Sequence, residues 1–120
     1  MVFLQYRGFM KKYERVKSNI LFNEIINKGK KQSNKFFTIF FDDKKDSKPL
    51  YGVAVSKRLG NAVLRNKLKR QTRELIDETK LLFKNNRNYI IIVKEKCLSE
   101  NYEVKLNALQ QLIGEINEKK

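Results

Sequence analysis

The chain has 120 residues, of which 27 are Lys or Arg, 13 are Asp or Glu and none is His, giving a formal net charge of +14. This length fits a single domain; the hydrophobic fraction of 41% is enough for a compact core, and the charged fraction of 33% excludes a membrane-spanning protein. A positive surplus of this size indicates a polyanionic partner.

Several chemistries are excluded by residues that the sequence lacks. Without His, the chain cannot build a Ser-His or Cys-His nucleophile pair or a mixed Cys/His zinc site. Cys97 is the only cysteine, so an internal disulfide is impossible, and we expect a small buried residue without chemistry in a reduced compartment. No apolar stretch has the length of a secretory or transmembrane segment, so we expect a cytoplasmic protein with no membrane partner.

The positive surplus lies in two segments. Residues 1–36 carry nine basic and two acidic side chains, and residues 57–73 carry seven basic side chains and no acidic one. Residues 37–56 and 74–120 are each balanced. A solvated basic surface would spread the charge more evenly, so this distribution favours a localised binding surface.

The first half of the chain predicts one helix and two strands. Apolar spacing after Ser18 predicts a short amphipathic helix with Ser18 as its N-cap and Gly29 as a left-handed residue after its end. The aromatic run at 36–41 is typical of a strand buried on at least one face. A polar turn at 42–49 leads to a second strand at 50–56, which we expect to pair with the first as an antiparallel hairpin.

Gly60 and Asn61 begin a long amphipathic helix. Its apolar side chains fall on one face at about 100° per residue, with Thr72 and Thr79 between them; they are Leu64, Leu68, Leu75, Ile76, Leu82 and Phe83. Lys69, Arg70 and Arg73 fall on the opposite face, with Arg65 and Lys67 at its borders.

The remaining elements are a strand and a helix. The uniformly apolar run at 89–93 predicts a central strand covered on both sides. It can pair in parallel with the strand at 50–56 through a βαβ connection. A last amphipathic helix runs from Tyr102 to Ile116, and we expect Ser99 to cap it. These elements predict one α+β domain.

The segment 56–73 carries the strongest functional signal. A Gly-Asn turn precedes a helix N-terminus, where free backbone N–H groups and the positive end of the helix dipole favour phosphate. A solvated helix face is the alternative for an ordinary charge run. Seven cations without an intervening acid repel one another unless an anion binds there, so binding is favoured.

Residues 56–70 read Ser-Lys-Arg-Leu-Gly-Asn-Ala-Val-Leu-Arg-Asn-Lys-Leu-Lys-Arg, with a further matching Arg73. This segment closely resembles the signature of the bacterial ribonuclease P protein subunit. Lys67 stands where the family usually has Arg, which keeps the charge but loses the planar guanidinium fork. The resemblance covers residues 10–120 as one domain. Residues 1–9 are then an N-terminal extension or reflect a choice of translation start, with Met10 as the ordinary initiator.

The resemblance implies both a fold and a function. The fold is a single-domain α/β sandwich of order αβββαβα, with a mixed sheet and a left-handed βαβ crossover (ribosomal protein S5 domain 2-like); sequence reasoning alone would predict a right-handed one. The function is to assist a catalytic RNA in removing the 5′ leader from precursor tRNA. The RNA subunit is then the main holder of Mg²⁺ and carries catalysis, with one protein per RNA, and the protein contributes no catalytic residue.

Two binding surfaces follow from the resemblance. The docking face for the catalytic RNA comprises Lys57, Arg58, Asn61, Arg65, Asn66, Lys67, Lys69, Arg70 and Arg73. The leader cleft comprises Lys17, Phe22, Ile26, Lys35 and Phe40, where aromatic rings would stack on unpaired bases. Ordinary core packing is the alternative for its apolar members, and Ile26, where the family often has Phe, cannot stack. Further cations would flank this cleft, namely Lys11, Lys12, Arg15, Lys30 and Lys31.

Two other functions remain open. Glu74, Asp77 and Glu78 have the helical spacing to share a Mg²⁺ ion in a stand-alone nuclease, although surface ion pairs of Arg70 with Glu74 and of Arg73 with Asp77 are the favoured interpretation. A ribosomal-type RNA-binding protein without a role in cleavage is the other alternative. Whether a metal binds near Asn61 is left open.

Overall fold

A computed structural model describes residues 15–16, 19–43, 49–84 and 86–118. The helices are α1 (Asn19–Lys28), α2 (Ala62–Glu78) and α3 (Tyr102–Asn117), and the strands are β1 (Lys30–Ser33), β2 (Phe37–Asp43), β3 (Tyr51–Val55) and β4 (Arg87–Val93). Short 3-10 turns occupy Lys57–Leu59, Lys80–Leu82 and Glu95–Ser99. The predicted αβββαβα order is confirmed. The predicted cap Ser18, the cleft residue Lys17 and the extension at 1–9 lie outside the described residues.

The four strands form one mixed sheet in the order β1-β2-β4-β3. β4 pairs antiparallel with β2 and parallel with β3, so the predicted parallel pairing is confirmed. The predicted hairpin between the strands at 36–41 and 50–56 is wrong, because β4 lies between them. The apolar run of β4 is best shielded from water in the centre of the sheet. With β4 between them, β2 and β3 are two strand spacings apart, about 10 Å, which the short segment between these strands can span. The left-handed sense of the β3–α2–β4 crossover stays a prediction.

The two faces of the sheet are covered differently. On one face, Phe37, Ile39 and Ile91 pack with α2 and α3 into the main hydrophobic core. On the other face, α1 lies against β2 and β4, where Ile25 and Ile90 are buried. No helix in the described part of the chain is long and apolar enough to cross a membrane.

The long helix ends earlier than its apolar spacing predicts. α2 ends at Glu78, and the chain leaves the helical path so that Phe83 can pack edge-on against Tyr51 and Tyr89, with ring centroids 5.2 and 4.7 Å away. Leu82 is 44% exposed, so its assignment to the apolar face is wrong. Tertiary packing of one aromatic ring therefore overrides the helical period at this end.

The cap of α3 is Asn101 rather than Ser99. The Asn101 side chain accepts a hydrogen bond from the Val104 amide at 3.0 Å. The Ser99 hydroxyl instead donates to the Lys96 carbonyl at 3.3 Å, within the preceding turn. The predicted cap is wrong by two residues because this turn uses the serine before the helix begins.

Gly29 serves a different purpose from the predicted one. Among the described residues, Gly60 is the glycine with a positive φ, so the prediction that Gly29 is left-handed is wrong. A Cβ at Gly29 would lie 2.3 Å from the Ile25 carbonyl oxygen and 2.7 Å from that of Phe41. The residue is small because the chain turns from α1 directly into β1, with the backbone of Phe41 on β2 beside it.

We expect Gly29→Ala to destabilise the protein by about 2 kcal/mol or more, because rigid backbone atoms surround the added methyl group. Gly114→Ala is the matched control. A Cβ there meets nothing within 4 Å, and the position lies inside α3, so this variant should gain about 0.5–1 kcal/mol. Urea unfolding measures both changes, and equal stability of the two variants would contradict the close approach at Gly29.

Candidate nucleic-acid interface

A short turn connects β3 to α2 and is anchored on one apolar side chain. Leu59 is buried, and its amide donates to the Ser56 carbonyl at 3.1 Å. The Ser56 hydroxyl accepts from the Arg58 amide at 3.4 Å. Lys57 and Arg58, which precede this anchor, are exposed. This turn thus exposes two neighbouring cations to solvent and buries the leucine that follows them in the core.

The Gly-Asn pair fixes the start of α2. Gly60 has a φ of 152°, and a Cβ there would lie 2.6 Å from a methyl group of Leu64, so glycine is required. The Asn61 side chain accepts from the Leu64 amide at 3.0 Å, as an N-cap does. Arg65 Nε donates to the Gly60 carbonyl at 3.2 Å, which holds this guanidinium against the turn. The expected turn and helix start are confirmed.

The nine predicted docking residues lie together on this turn and on the first three turns of α2. Their exposure divides them into two groups. Those exposed to solvent are Lys57, Arg58, Asn61, Asn66, Lys67 and Arg70. Those half-buried along the side of the helix are Arg65, Lys69 and Arg73. The basic face is therefore wider than the three residues that the helical period assigned to it.

Arg15 adds a cation next to this face. It pairs with Tyr51 at the outer edge of β3. Burial, and then the positive charge of Arg15, lower the pKa of the Arg73 guanidinium. The positive charge of Arg15 therefore acts on one predicted docking residue, and its expected position beside the leader cleft stays a prediction.

The acidic residues of α2 do not form a metal cluster. Asp77 lies 3.1 Å from the ammonium group of Lys80, one turn further along the chain. Within the described ranges, no group of three or more His, Cys, Asp or Glu residues could hold a metal ion, and this includes Glu74, Asp77 and Glu78.

The apolar residues of the predicted cleft lie on the α1 side of the sheet. Phe40 is half-buried on β2, and the ammonium group of Lys31 on the neighbouring β1 lies 5.9 Å from its ring centroid. Phe22 and Ile26 are half-buried on α1, and Phe22 lies close to Gly52 of β3. All three are partly accessible, which is compatible with either packing or base contact.

A groove of about 380 Å³ lies at the end of the sheet on this same side. Its floor includes Thr38 and Ile92, which are register partners and lie two residues, about 7 Å, beyond the row that contains Phe40. The groove brings together Lys35, a predicted cleft residue, and Arg58, a predicted docking residue. Its lining does not include Phe22, Ile26 or Phe40.

Two cations of this groove were missed by sequence reasoning, Lys94 and Lys96. Both follow β4, and Arg58 follows β3, the parallel neighbour of β4. The carboxyl ends of adjacent parallel strands meet at one edge of a sheet, where ligands commonly bind. The predicted βαβ pairing could therefore have identified Lys94 and Lys96 from the sequence.

The rim of the groove is held by hydrogen bonds. The Lys94 ammonium group donates to the Asn34 carbonyl at 2.7 Å. The Asn34 side-chain oxygen accepts from the amides of Phe36 and Phe37 at 2.8 and 2.9 Å. The backbone on both sides of Lys35 is thus fixed before any ligand arrives.

Cys97 is buried, as predicted, and its thiol donates to the Phe36 carbonyl at 3.2 Å. Burial raises the pKa of this thiol to about 11. The sulfur therefore stays protonated at neutral pH and packs beside the rim of the groove without acting as a nucleophile.

Comparison with known proteins identifies relatives of this chain. The family model Ribonuclease P matches residues 10–117. The ribonuclease P protein component of Bacillus cereus (strain B4264) is 37% identical over 95 residues, which cover 78% of this chain and 83% of the relative. A Staphylococcus aureus RNase P protein mutant with defective mRNA degradation activity superposes with a TM-score of 0.81 at 30% identity, covering 98% of both chains. The RNase P protein from Thermotoga maritima gives a TM-score of 0.76 at 25% identity, covering 83% of this chain and 94% of the other.

Proposed function

The chain belongs to the ribonuclease P protein family, and from this premise we propose that it binds the catalytic RNA through its docking face and the 5′ leader of precursor tRNA through the α1 side of its sheet. Family membership makes it a ribonuclease P protein component in tRNA processing, with an RNA partner. What we propose beyond this is which residues contact the catalytic RNA and which contact the leader.

The observation that carries it is the docking face itself. Seven cations occur within residues 57–73 without an acid between them. Two lie on the turn before Gly60, and five lie on the N-capped helix α2 that follows it. Each cation that meets a phosphate releases a counterion from the RNA, so several such contacts sum to strong, salt-dependent binding. The half-buried Arg65 is already held in place, so its ordering costs little entropy on binding.

The leader would follow a path from Phe40 to Arg58. Single-stranded RNA binds to surfaces that combine a stacking ring with cations along the backbone. Phe40 supplies the ring, and the adjacent groove carries Lys35, Arg58, Lys94 and Lys96 against the single acid Glu95. Because Arg58 belongs to both surfaces, a leader bound here would lie next to the catalytic RNA.

Cleavage is assigned to the RNA subunit, which would be the main holder of Mg²⁺. The side chains of this protein would neutralise phosphates, orient the leader and raise the affinity for precursor over mature tRNA. We place the complex in the cytoplasm, with one protein per RNA. A mutant of the Staphylococcus aureus RNase P protein is defective in mRNA degradation activity, and this makes the activity of the present protein alone worth measuring.

Reconstitution tests the proposal. Cleavage of precursor tRNA at low Mg²⁺ is measured with the protein alone, with a bacterial ribonuclease P RNA alone and with both together. We expect activity to rise when the protein joins the RNA and to be absent from the protein alone. Cleavage by the purified protein would instead support a stand-alone nuclease. No gain over the RNA alone would contradict the proposal.

Arg65→Ala combined with Arg70→Ala should weaken assembly with the RNA subunit about tenfold or more, because two phosphate contacts are lost. The slope of log affinity against log salt should fall by about 1.4–1.8. Lys84→Ala, which removes an exposed cation outside the docking face, is the control and should leave the slope unchanged. Filter binding across a salt titration measures both, and a wild-type slope in the double variant would refute these contacts.

Phe40→Ala should weaken precursor tRNA binding about tenfold, through the loss of one stacked base, and leave mature tRNA binding nearly unchanged. Phe36→Ala is the matched control, because Phe36 is a half-buried ring that packs against the main core. It should lower stability without changing the preference for precursor. Fluorescence binding of both tRNAs, with urea unfolding of each variant, separates the two effects. An equal loss for both tRNAs would show that Phe40 is only a packing residue.

A further inference from the structure

Lys105 is a buried cation outside the predicted surfaces. It lies in the first turns of α3 and is 5% exposed. Its ammonium group donates to the Gln71 side-chain oxygen of α2 at 3.1 Å and to the Cys97 carbonyl at 3.5 Å. Both acceptors are neutral. Within the described residues, no carboxylate oxygen lies within 4.0 Å of this ammonium group.

A buried charge bound only by neutral groups is costly, which is why such charges are normally paired with an ion of opposite sign. An ammonium group has three N–H donors, and two are used here. Part of the cationic charge and one donor thus remain for a ligand. The lysine stem alone does not explain the residue, since an apolar side chain would fill the same space without the cost of desolvation.

Lys105 lines a cavity of about 180 Å³ between α2, the Glu95–Ser99 turn and the start of α3. Lys67, an exposed member of the docking face, lines the same cavity, as do Gln71 and the acid Glu100. Leu64 of the lining lies in the first turn of α2, so both helices bring their positive N-terminal ends to this region. The volume suits one small anion with a few waters.

We propose that this cavity binds a phosphate group between Lys105 and Lys67, and that the backbone of the RNA subunit supplies it. Two cations face one acid, so the cavity is net positive. Lys67 already belongs to the docking face, and an RNA strand on α2 passes the mouth of the cavity. The phosphate site stands on the geometry alone, whereas its RNA source rests on the proposed function.

The first experiment uses inorganic phosphate as the probe. Thermal unfolding of the free protein is followed as phosphate replaces chloride at constant ionic strength. The wild type should gain stability with the logarithm of phosphate concentration above its Kd. Lys105→Met should lose most of this gain, and Glu100→Gln should increase it by removing the opposing charge. Lys84→Met, at an exposed position outside the cavity, controls for phosphate bound elsewhere on this basic protein.

An equal phosphate-dependent rise in Lys105→Met and in the wild type would overturn the site. Should Lys105→Met fail to fold, Lys67→Gln decides instead. That residue is exposed and its loss has no packing cost, so the variant should show a reduced rise. A full wild-type rise in Lys67→Gln, with no increase in Glu100→Gln, would equally overturn the proposal.

The second experiment identifies the source of the phosphate. Assembly of Lys105→Met with the RNA subunit should be about three- to tenfold weaker at moderate salt, and the salt slope should fall by about 0.7–0.9. An unchanged slope together with a lost phosphate response would mean that the site takes free phosphate, which overturns the RNA source. If the wild type itself does not assemble with the RNA, the proposed function fails, and the phosphate experiment still decides the site.

Discussion

The burial of β4 on both faces is the constraint on which the rest of the molecule depends. Its apolar run needs a helix layer on each side and a strand at each edge, and these requirements fix the positions of all the other elements. Coverage ends where β3 and β4 end together. The groove that we propose for the leader lies at that edge of the sheet, where the chain turns from the core into Lys57, Arg58, Lys94 and Lys96.

Crowded cations are the second organising feature. The energy of their mutual repulsion decides whether the free protein tolerates them. Two unit charges a few ångströms apart at a solvated surface repel by about 1 kcal/mol in water and by more where the side chains are half-buried. Salt screens the exposed pairs but screens Arg73 and Arg15 less. The repulsion is therefore modest in the free protein and is concentrated along one side of α2. A bound polyanion would therefore reduce the repulsion most along that side of α2.

Sequence reasoning succeeded where the physical cause is local. The 3.6-residue period found the buried side of α2, and the Gly-Asn pair found its start, because both depend on residues close in the chain. It failed where the cause is distant. Nothing near residues 42–49 reveals that β4 separates the strands on either side, and nothing near Phe83 reveals the aromatic rings that draw it out of the helix.

The same limit applies to the candidate site. The signature of the resembled family supplied the proposed docking residues, and the predicted βαβ pairing could have supplied Lys94 and Lys96, whereas the buried Lys105 required the three-dimensional structure. A lysine in an amphipathic helix normally predicts a solvated position. The burial of Lys105 follows from the packing of α3 against α2 and the Glu95–Ser99 turn, which no local pattern contains.

The edges of the sheet differ in a way that matters for self-association. The outer edge of β3 is occupied in part by the backbone of Arg15 and Val16. β1 is the opposite edge strand, and it is only four residues long, with Lys30 and Lys31 exposed. Two copies meeting at this edge would bring like charges together, and short, lysine-bearing edge strands resist such pairing. The shortness and charge of β1 thus disfavour the addition of a strand from a second copy at this edge of the sheet.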